Sequence, residues 1–382
     1  MTAFYESIRI FYCCCLVLSS ILCRGQDIVA KSNPLSINRT DSIVKAIVTN
    51  MNAFAITGVS VAVFDHGSIV WADGFGFANK SGAAKVDTAT LFQAASISKP
   101  LAAAAALRLA EDNRLLLDAD INTQLTSWKL PDNKFTVTEK VTPRRILSHT
   151  AGLTVHGFAG YEPGSKLPNL QQILDGERSS NSKPVRVTFI PGSKEMYSGG
   201  GYTILQLLMT EISGRDFSTF MKETILDKAG MDQSSFDLRL SPQKDLLAAR
   251  GYHNNGKMVK GGYHLYPELA AAGLWTTASD LSRFMLDISA SYNGNPGILQ
   301  QATAINMLTK VPGGSGLGFG VDGVGESFRF MHSGGNEGFS CYAVCYAVSG
   351  SGVVIMTNND NSNDFMREVI RVVAGVYQWP NK

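Results

Sequence analysis

Residues 92–109, FQAASISKPLAAAAALRL, contain an alanine- and leucine-rich run with no polar face. Both residue types are strong helix formers, and a helix that is apolar on every side has to be enclosed by the rest of the chain. This segment therefore demands a fold large enough to surround a helix. A chain of 382 residues, 45% hydrophobic and 17% charged, has the apolar surface to do so. Pro100 falls in the first turn, where its missing N–H costs little. Just ahead of the run stands Ser96-Ile97-Ser98-Lys99. With a helix starting near Ser96, positions 96 and 99 share one face, about 5–6 Å apart at Cβ. A hydroxyl beside an amine is the arrangement that activates a poor nucleophile.

The spacing alone is not selective. Serine precedes lysine by three positions four times: Ser42 with Lys45, Ser96 with Lys99, Ser180 with Lys183, and Ser241 with Lys244. Ser42 begins an amphipathic helix, Ser180 lies in a polar ERSSNSKP loop, and Ser241 is followed by Pro242. Only Ser96 opens an apolar helix and follows an apolar approach, Leu91-Phe92. Context singles it out.

Strand patterns lie at both ends of the chain and helices between them. Residues 58–78 read as a hairpin turning at His66-Gly67, and strands are expected at 318–321, 328–331, 340–347 and 353–357. Helices are expected at 42–53, as a pair divided by Gly214 within 201–232, after the Thr277 cap through 289, and at 364–377. VTPRRILSHTAGL at 141–153 suggests a short helix closed by Gly152, with His149 read as a structural turn histidine in preference to a catalytic base. The fold class expected is α+β: an antiparallel sheet flanked by helices, with a mostly helical subdomain inserted at roughly 104–310.

The first 25 residues read as a secretion signal: Arg9, an apolar run over 10–22, then Cys23-Arg24-Gly25. About 13 apolar residues are too few to span a bilayer. Leu22 before Cys23 is larger than the small residue a lipidation site usually carries, so a cleaved leader is preferred to a lipoprotein. The mature chain, 26–382, would be secreted or periplasmic, with no stable membrane span. It would keep only Cys341 and Cys345, four residues apart on a strand and about 13 Å from each other, beyond disulfide reach. A net charge of +2 without a basic stretch gives nucleic-acid binding no support. The six histidines show no metal-ligand spacing and there is no C-x-x-C, so neither metal nor organic cofactor is expected. GFGVDG at 318–323 matches G-x-G-x-x-G but leads into an extended segment, and no G-x-S-x-G elbow occurs.

Two further segments complete a candidate site. PGSKEMYSGGGY at 191–202 reads as a glycine-rich loop entering a helix, from which Tyr197 can project its hydroxyl into a cleft. His332-Ser333-Gly334-Gly335 leaves a strand, with glycines that let a substrate approach the backbone closely.

Taken together, the segments resemble the serine β-lactamase and penicillin-binding-protein superfamily, in its class C-type branch. Its three elements are S-x-x-K at a helix start, Y-x-N on a loop and K/H-x-G on a strand. They occur here in that order as Ser96 with Lys99, Tyr197-Ser198-Gly199, and His332-Ser333-Gly334. LSHTAGL at 147–153 and AAAGLWTTASDL at 270–281 are similar to the branch as well, so the likeness runs from about residue 58 to the C-terminus. It implies a β-lactamase/transpeptidase-like fold and an acyl-Ser96 intermediate on amide or ester substrates. Lys99 and Tyr197 would share the base role: either Tyr197 is held as phenolate by Lys99, or Lys99 is neutral and takes the proton itself. The backbone N–H groups of Ser96 and Gly335 would form the oxyanion hole, with His332, Ser333 and Gly334 lining the substrate.

Two departures shape the expected activity. Gly199 stands where the branch has asparagine, removing an amide that would hold a substrate's acylamino group. His332 stands where typical class C β-lactamases have lysine, and an imidazole of pKa about 6.5 is a weaker anchor for a carboxylate. The expectation is an exported serine hydrolase acting on small-molecule or peptide substrates of the D-amino-acid or cell-wall type. A promiscuous esterase or weak β-lactamase is the enzyme alternative. A non-catalytic binding protein on the same scaffold is the other, and Ser96→Ala would leave its function unchanged.

Overall fold

The computed structural model describes residues 34–380. The leader-like segment 1–25, with Cys23, lies outside them. Among the described residues, nine strands follow the order β1 (Gly58–Asp65), β2 (Ser68–Asn79), β3 (Ala84–Lys85), β4 (Phe92–Ala95), β5 (Leu274–Thr276), β6 (Gly320–Asp322), β7 (Arg329–Asn336), β8 (Phe339–Tyr346) and β9 (Ser351–Thr357). Seven of them form one antiparallel sheet, β3-β2-β1-β9-β8-β7-β6, while β4 and β5 pair apart from it. The last strands of the sequence thus flank the first, as strands at both ends of the chain require.

β1 is buried on both faces, which its nearly continuous apolar sequence GVSVAVFD dictates. Val59, Val61 and Val63 meet Ile43 and Ile47 of the Pro34–Ala53 helix and Phe365, Val369 and Val373 of the Asn363–Tyr377 helix. Ala62 and Phe64 point the other way, into a larger core shared with Leu281, Phe284, Met285 and Ile288 of the Ala278–Tyr292 helix. The molecule is therefore layered: helices on the outer face, the sheet, and a thick helical body on the inner face.

The Ser98–Glu111 helix runs through that inner body, and from Ser98 to Leu107 every residue is buried. Its alanines permit close approach; a Cβ on Gly318 would lie 2.5 Å from that of Ala103. The helix begins two residues later than the expected start. Ala95 takes a left-handed φ of +50°, and Ser96 and Ile97 form a turn closed by the Lys99 N–H on the Ser96 carbonyl at 3.0 Å. Ser96 is thereby lifted off the helix end while Lys99 stays inside its first turn.

The glycines after Tyr197 are not a flexible loop. Gly199–Ser213 is a helix capped by the Ser198 side chain, and all three leading glycines are buried. A Cβ on Gly200 would come within 2.7 Å of Val185, and one on Gly201 within 2.9 Å of Ile146, so close packing explains them. Nor does the chain leave its strand at His332; β7 continues through Asn336.

Candidate active site

Three layers of the fold meet at Ser96. The β4-to-helix turn supplies the serine, the approach to the Gly199–Ser213 helix supplies Tyr197, and β7 supplies His332 to Gly335. Ser96 is half-buried and Lys99 almost wholly so, at 2% exposure. Lys99 Nζ donates to Ser96 Oγ at 2.9 Å and to the carbonyl oxygen of Ala271 at 2.7 Å. Burial pulls the ammonium down to a pKa of about 7, because a charge in the core lacks the hydration it has in water. The pair is thus poised between charged and neutral forms near neutral pH.

The Tyr197 hydroxyl shares a hydrogen bond with Ser96, and its ring centroid lies 4.9 Å from Lys99 Nζ. Burial raises the phenol to about 12, with the Ser96 bond opposing the shift. Around this ring stand three imidazoles. Centroids of His149 and His156 lie 4.3 and 4.9 Å away, and that of His332 lies 6.3 Å away. His149 does occupy a turn, at φ +58°, but its buried ring also packs on the tyrosine, and its Nδ1 accepts from the Ser198 N–H at 3.2 Å. Burial first, and then the neighbouring positive charge of Lys99, keep His149 and His332 well below the ordinary histidine value.

β7 presents the opposite wall. β6 pairs only with Arg329, Phe330 and Met331, so beyond them that edge of β7 has no strand neighbour within the sheet. Gly334 lies against the turn that carries Ser96: a Cβ there would meet the Ala94 carbonyl at 2.3 Å and the Ser96 nitrogen at 3.1 Å. Gly335, next along, faces open space and is exposed. Ser333 lines the cleft, and His332 Nδ1 donates to the Ser333 carbonyl at 2.6 Å.

A polar brace behind the cleft has no counterpart in the sequence reading. Asn336 Nδ2 donates to Gln93 Oε1 at 2.8 Å and to the Ala272 carbonyl at 3.1 Å, tying β7 to β4 and to the Leu269–Ala272 turn of helix. That same turn offers the Ala271 carbonyl to Lys99. The AAAGL sequence is its only trace, since a backbone acceptor leaves no side-chain mark. Beneath the site, Cys341 Sγ donates to the Ala94 carbonyl at 2.9 Å; both it and Cys345 are buried free thiols.

Residues 43–378 match the family model described as Beta-lactamase. Penicillin-binding protein 4* of Bacillus subtilis (strain 168) is 25% identical over 339 residues, spanning 83% of this chain and 71% of that protein. The octameric penicillin-binding protein homologue from Pyrococcus abyssi superposes with a TM-score of 0.74 at 22% identity, over 89% of this chain and 78% of that one. D-amino acid amidase from Ochrobactrum anthropi SV3, solved with L-phenylalanine amide, gives 0.72 at 20% identity, over 89% and 99%. Such structural likenesses speak for the β-lactamase/transpeptidase-like α+β fold, and the family match covers most of the sequence. The chain belongs to the β-lactamase family, within the serine β-lactamase and penicillin-binding-protein superfamily, and is a serine hydrolase.

Proposed function

We propose that this protein is an exported hydrolase that cleaves amide or ester bonds through an acyl-Ser96 intermediate, on substrates of the D-amino-acid or cell-wall peptide type. The observation that carries the reading is the 2.9 Å contact between Lys99 Nζ and Ser96 Oγ, made by a lysine whose pKa is brought to about 7. A buried amine of that pKa is a competent general base at neutral pH. The Tyr197 phenol, at about 12, stays protonated, which favours neutral Lys99 over a tyrosinate as the group that takes the serine proton.

In this scheme Ser96 Oγ attacks the carbonyl carbon as Lys99 accepts its proton. The backbone N–H groups of Ser96 and Gly335 stabilise the oxyanion, each donor contributing about 3–4 kcal/mol in the transition state. The proton then passes through Tyr197 to the leaving nitrogen or oxygen, and water resolves the acyl-enzyme. His332, Ser333 and Gly334 line the bound substrate. The named relatives, a penicillin-binding protein and a D-amino acid amidase, support the substrate class. The apolar run at 10–22 supports export of a single catalytic domain, 26–382, into which the helical segment at roughly 104–310 is inserted.

The test is covalent labelling. A fluorophosphonate or fluorescent penicillin is incubated with the protein and the modified peptide identified by mass spectrometry. Label on Ser96, lost in Ser96→Ala and slowed in Lys99→Ala, is the expected result. A folded sample that takes neither probe would remove the catalytic assignment and leave the binding-protein reading.

A further inference from the structure

We infer that the leaving-group half of the cleft selects against a carboxylate, so that the bonds cleaved are those of neutral or cationic leaving groups: simple amines, aminoacyl amides and alcohols. The inference rests on the acyl-Ser96 reading, because that reading says which half is which. With the carbonyl oxygen held at Gly335 and the departing atom protonated by Tyr197, the leaving group extends past Tyr197 and His332, away from Gly335.

A cavity of about 240 Å³ lies on that side, lined by Glu195, Tyr197, Ser315, Met331, His332 and Tyr342 among others. None of its described lining residues is an arginine or lysine. Glu195, exposed at its rim, is its one carboxylate and meets no cation in an ion pair among the described residues. The cavity on the acyl side, about 350 Å³, adds Glu337 and Asp360 and again no arginine or lysine. The nearest lysine in sequence, Lys194, turns its ammonium over the Phe189 ring, 4.8 Å from the centroid. Lys99 is committed to Ser96 and to the Ala271 carbonyl.

The tautomer of His332 adds a directional argument. A carbonyl oxygen only accepts, so the 2.6 Å contact of Nδ1 with the Ser333 carbonyl fixes the ring proton on Nδ1. In the neutral ring Nε2 then carries a lone pair and no hydrogen. A carboxylate on the leaving group would meet this lone pair and Glu195 with no arginine or lysine lining the cavity to receive it, leaving the hydroxyls of Ser315, Ser333 and Tyr342 as neutral donors only. An amide N–H, an ammonium or a hydroxyl meets acceptors instead. Placing a carboxylate beside Glu195 with no cation to balance it is unfavourable, and that repulsion supplies the selectivity.

Two chromogenic esters with one acyl group test this: 4-nitrophenyl butyrate and 3-carboxy-4-nitrophenyl butyrate, with each kcat/KM divided by the ester's rate with hydroxide. The corrected preference for the uncharged ester is expected to be about tenfold or more. Glu195→Lys and, separately, His332→Lys should each shift the ratio toward the carboxylate ester by about tenfold. About 0.5 M NaCl should narrow it in the native protein, since the repulsion is screened. Ser96-dependent turnover with no preference, and a ratio unmoved by Glu195→Lys and by salt, would overturn the inference while leaving the hydrolase reading intact. Hydrolysis of neither ester above the Ser96→Ala level would sink the hydrolase reading, and this inference with it.

Discussion

At the scale of single residues, the proposed mechanism turns on where one proton sits. In it Lys99 must be neutral to accept the Ser96 proton, and burial brings its pKa to about 7. Below that value the ammonium is charged and cannot accept; above it the free amine predominates. The kcat/KM profile should therefore climb with pH through a midpoint near 7, and it should not wait for the phenol at about 12. Lys99→Ala should lose this limb along with about 10²–10⁴-fold in rate, and Tyr197→Phe should lose a similar factor while keeping the limb. A profile flat between about pH 5 and 9, or a limb near 7 that persists in Lys99→Ala, would contradict the assignment. The sequence alone left phenolate and amine equally open, because the choice depends on burial. Ser96, Lys99 and Tyr197 could be named in advance as candidates, because a hydroxyl, an amine and a phenol are side chains with chemistry to offer, and the structure brings the three together. His156 was not, since a lone histidine after Val155 gives no sign that its ring will reach Tyr197.

At the scale of elements, the cleft exists because β7 can lie directly on the turn that carries Ser96. Gly334 makes that contact possible, and the adjacent Gly335 has nothing within 4 Å of where its Cβ would be. The two glycines should respond differently to the same methyl group. Gly334→Ala must push β7 off Ala94 and Ser96, with an expected destabilisation of about 1–3 kcal/mol and loss of acylation. Gly335→Ala should keep the native melting temperature. Asn336→Ala should also loosen this seam, leaving Gln93 Oε1 and the Ala272 carbonyl without their donor, at about 1–3 kcal/mol. Urea titrations of the three variants check the order, and equal effects of the two alanines would show that the seam is not tightly packed. The 58–79 hairpin and the terminal helix could be read in advance because VSVAVFD and the apolar stripe of 364–377 carry strong patterns. The continuation of β7 through His332 to Asn336 could not, because glycine, serine and histidine have weak strand preference and tertiary pairing with β8 decides the matter. The short β4–β5 pair escaped for a related reason: a three-residue strand carries no period.

Over the whole molecule, parts of the sequence more than 100 positions apart converge because the helical body, which lies in sequence between the early and late strands, packs on the inner face of the one sheet those strands form. That packing also buries a carboxylic acid. Glu268, which opens the helical turn that holds Lys99, is fully buried, and neither of its carboxyl oxygens meets a partner among the described residues. Burial raises it to about 8. The folded state therefore keeps a proton that the unfolded chain releases near its ordinary value of 4.5. Between those two values the unfolded chain binds fewer protons, so this residue makes the fold less stable as pH rises, and the loss levels off above about 8. Lys99 acts in the opposite sense over a higher window. Its folded value of about 7 lies below the ordinary 10.5, so its penalty is relieved as pH rises between them. Other buried groups titrate as well, which makes the difference between two chains the informative quantity. The stability of Glu268→Gln minus that of the native protein should be constant below about pH 4.5 and should then grow by on the order of 1 kcal/mol per pH unit toward pH 8. Denaturant midpoints of both proteins across that range decide it. Parallel curves would mean that Glu268 ionises as freely in the folded protein as in the unfolded chain, and that the core around the Ala271 carbonyl that Lys99 meets is wetter than its packing indicates.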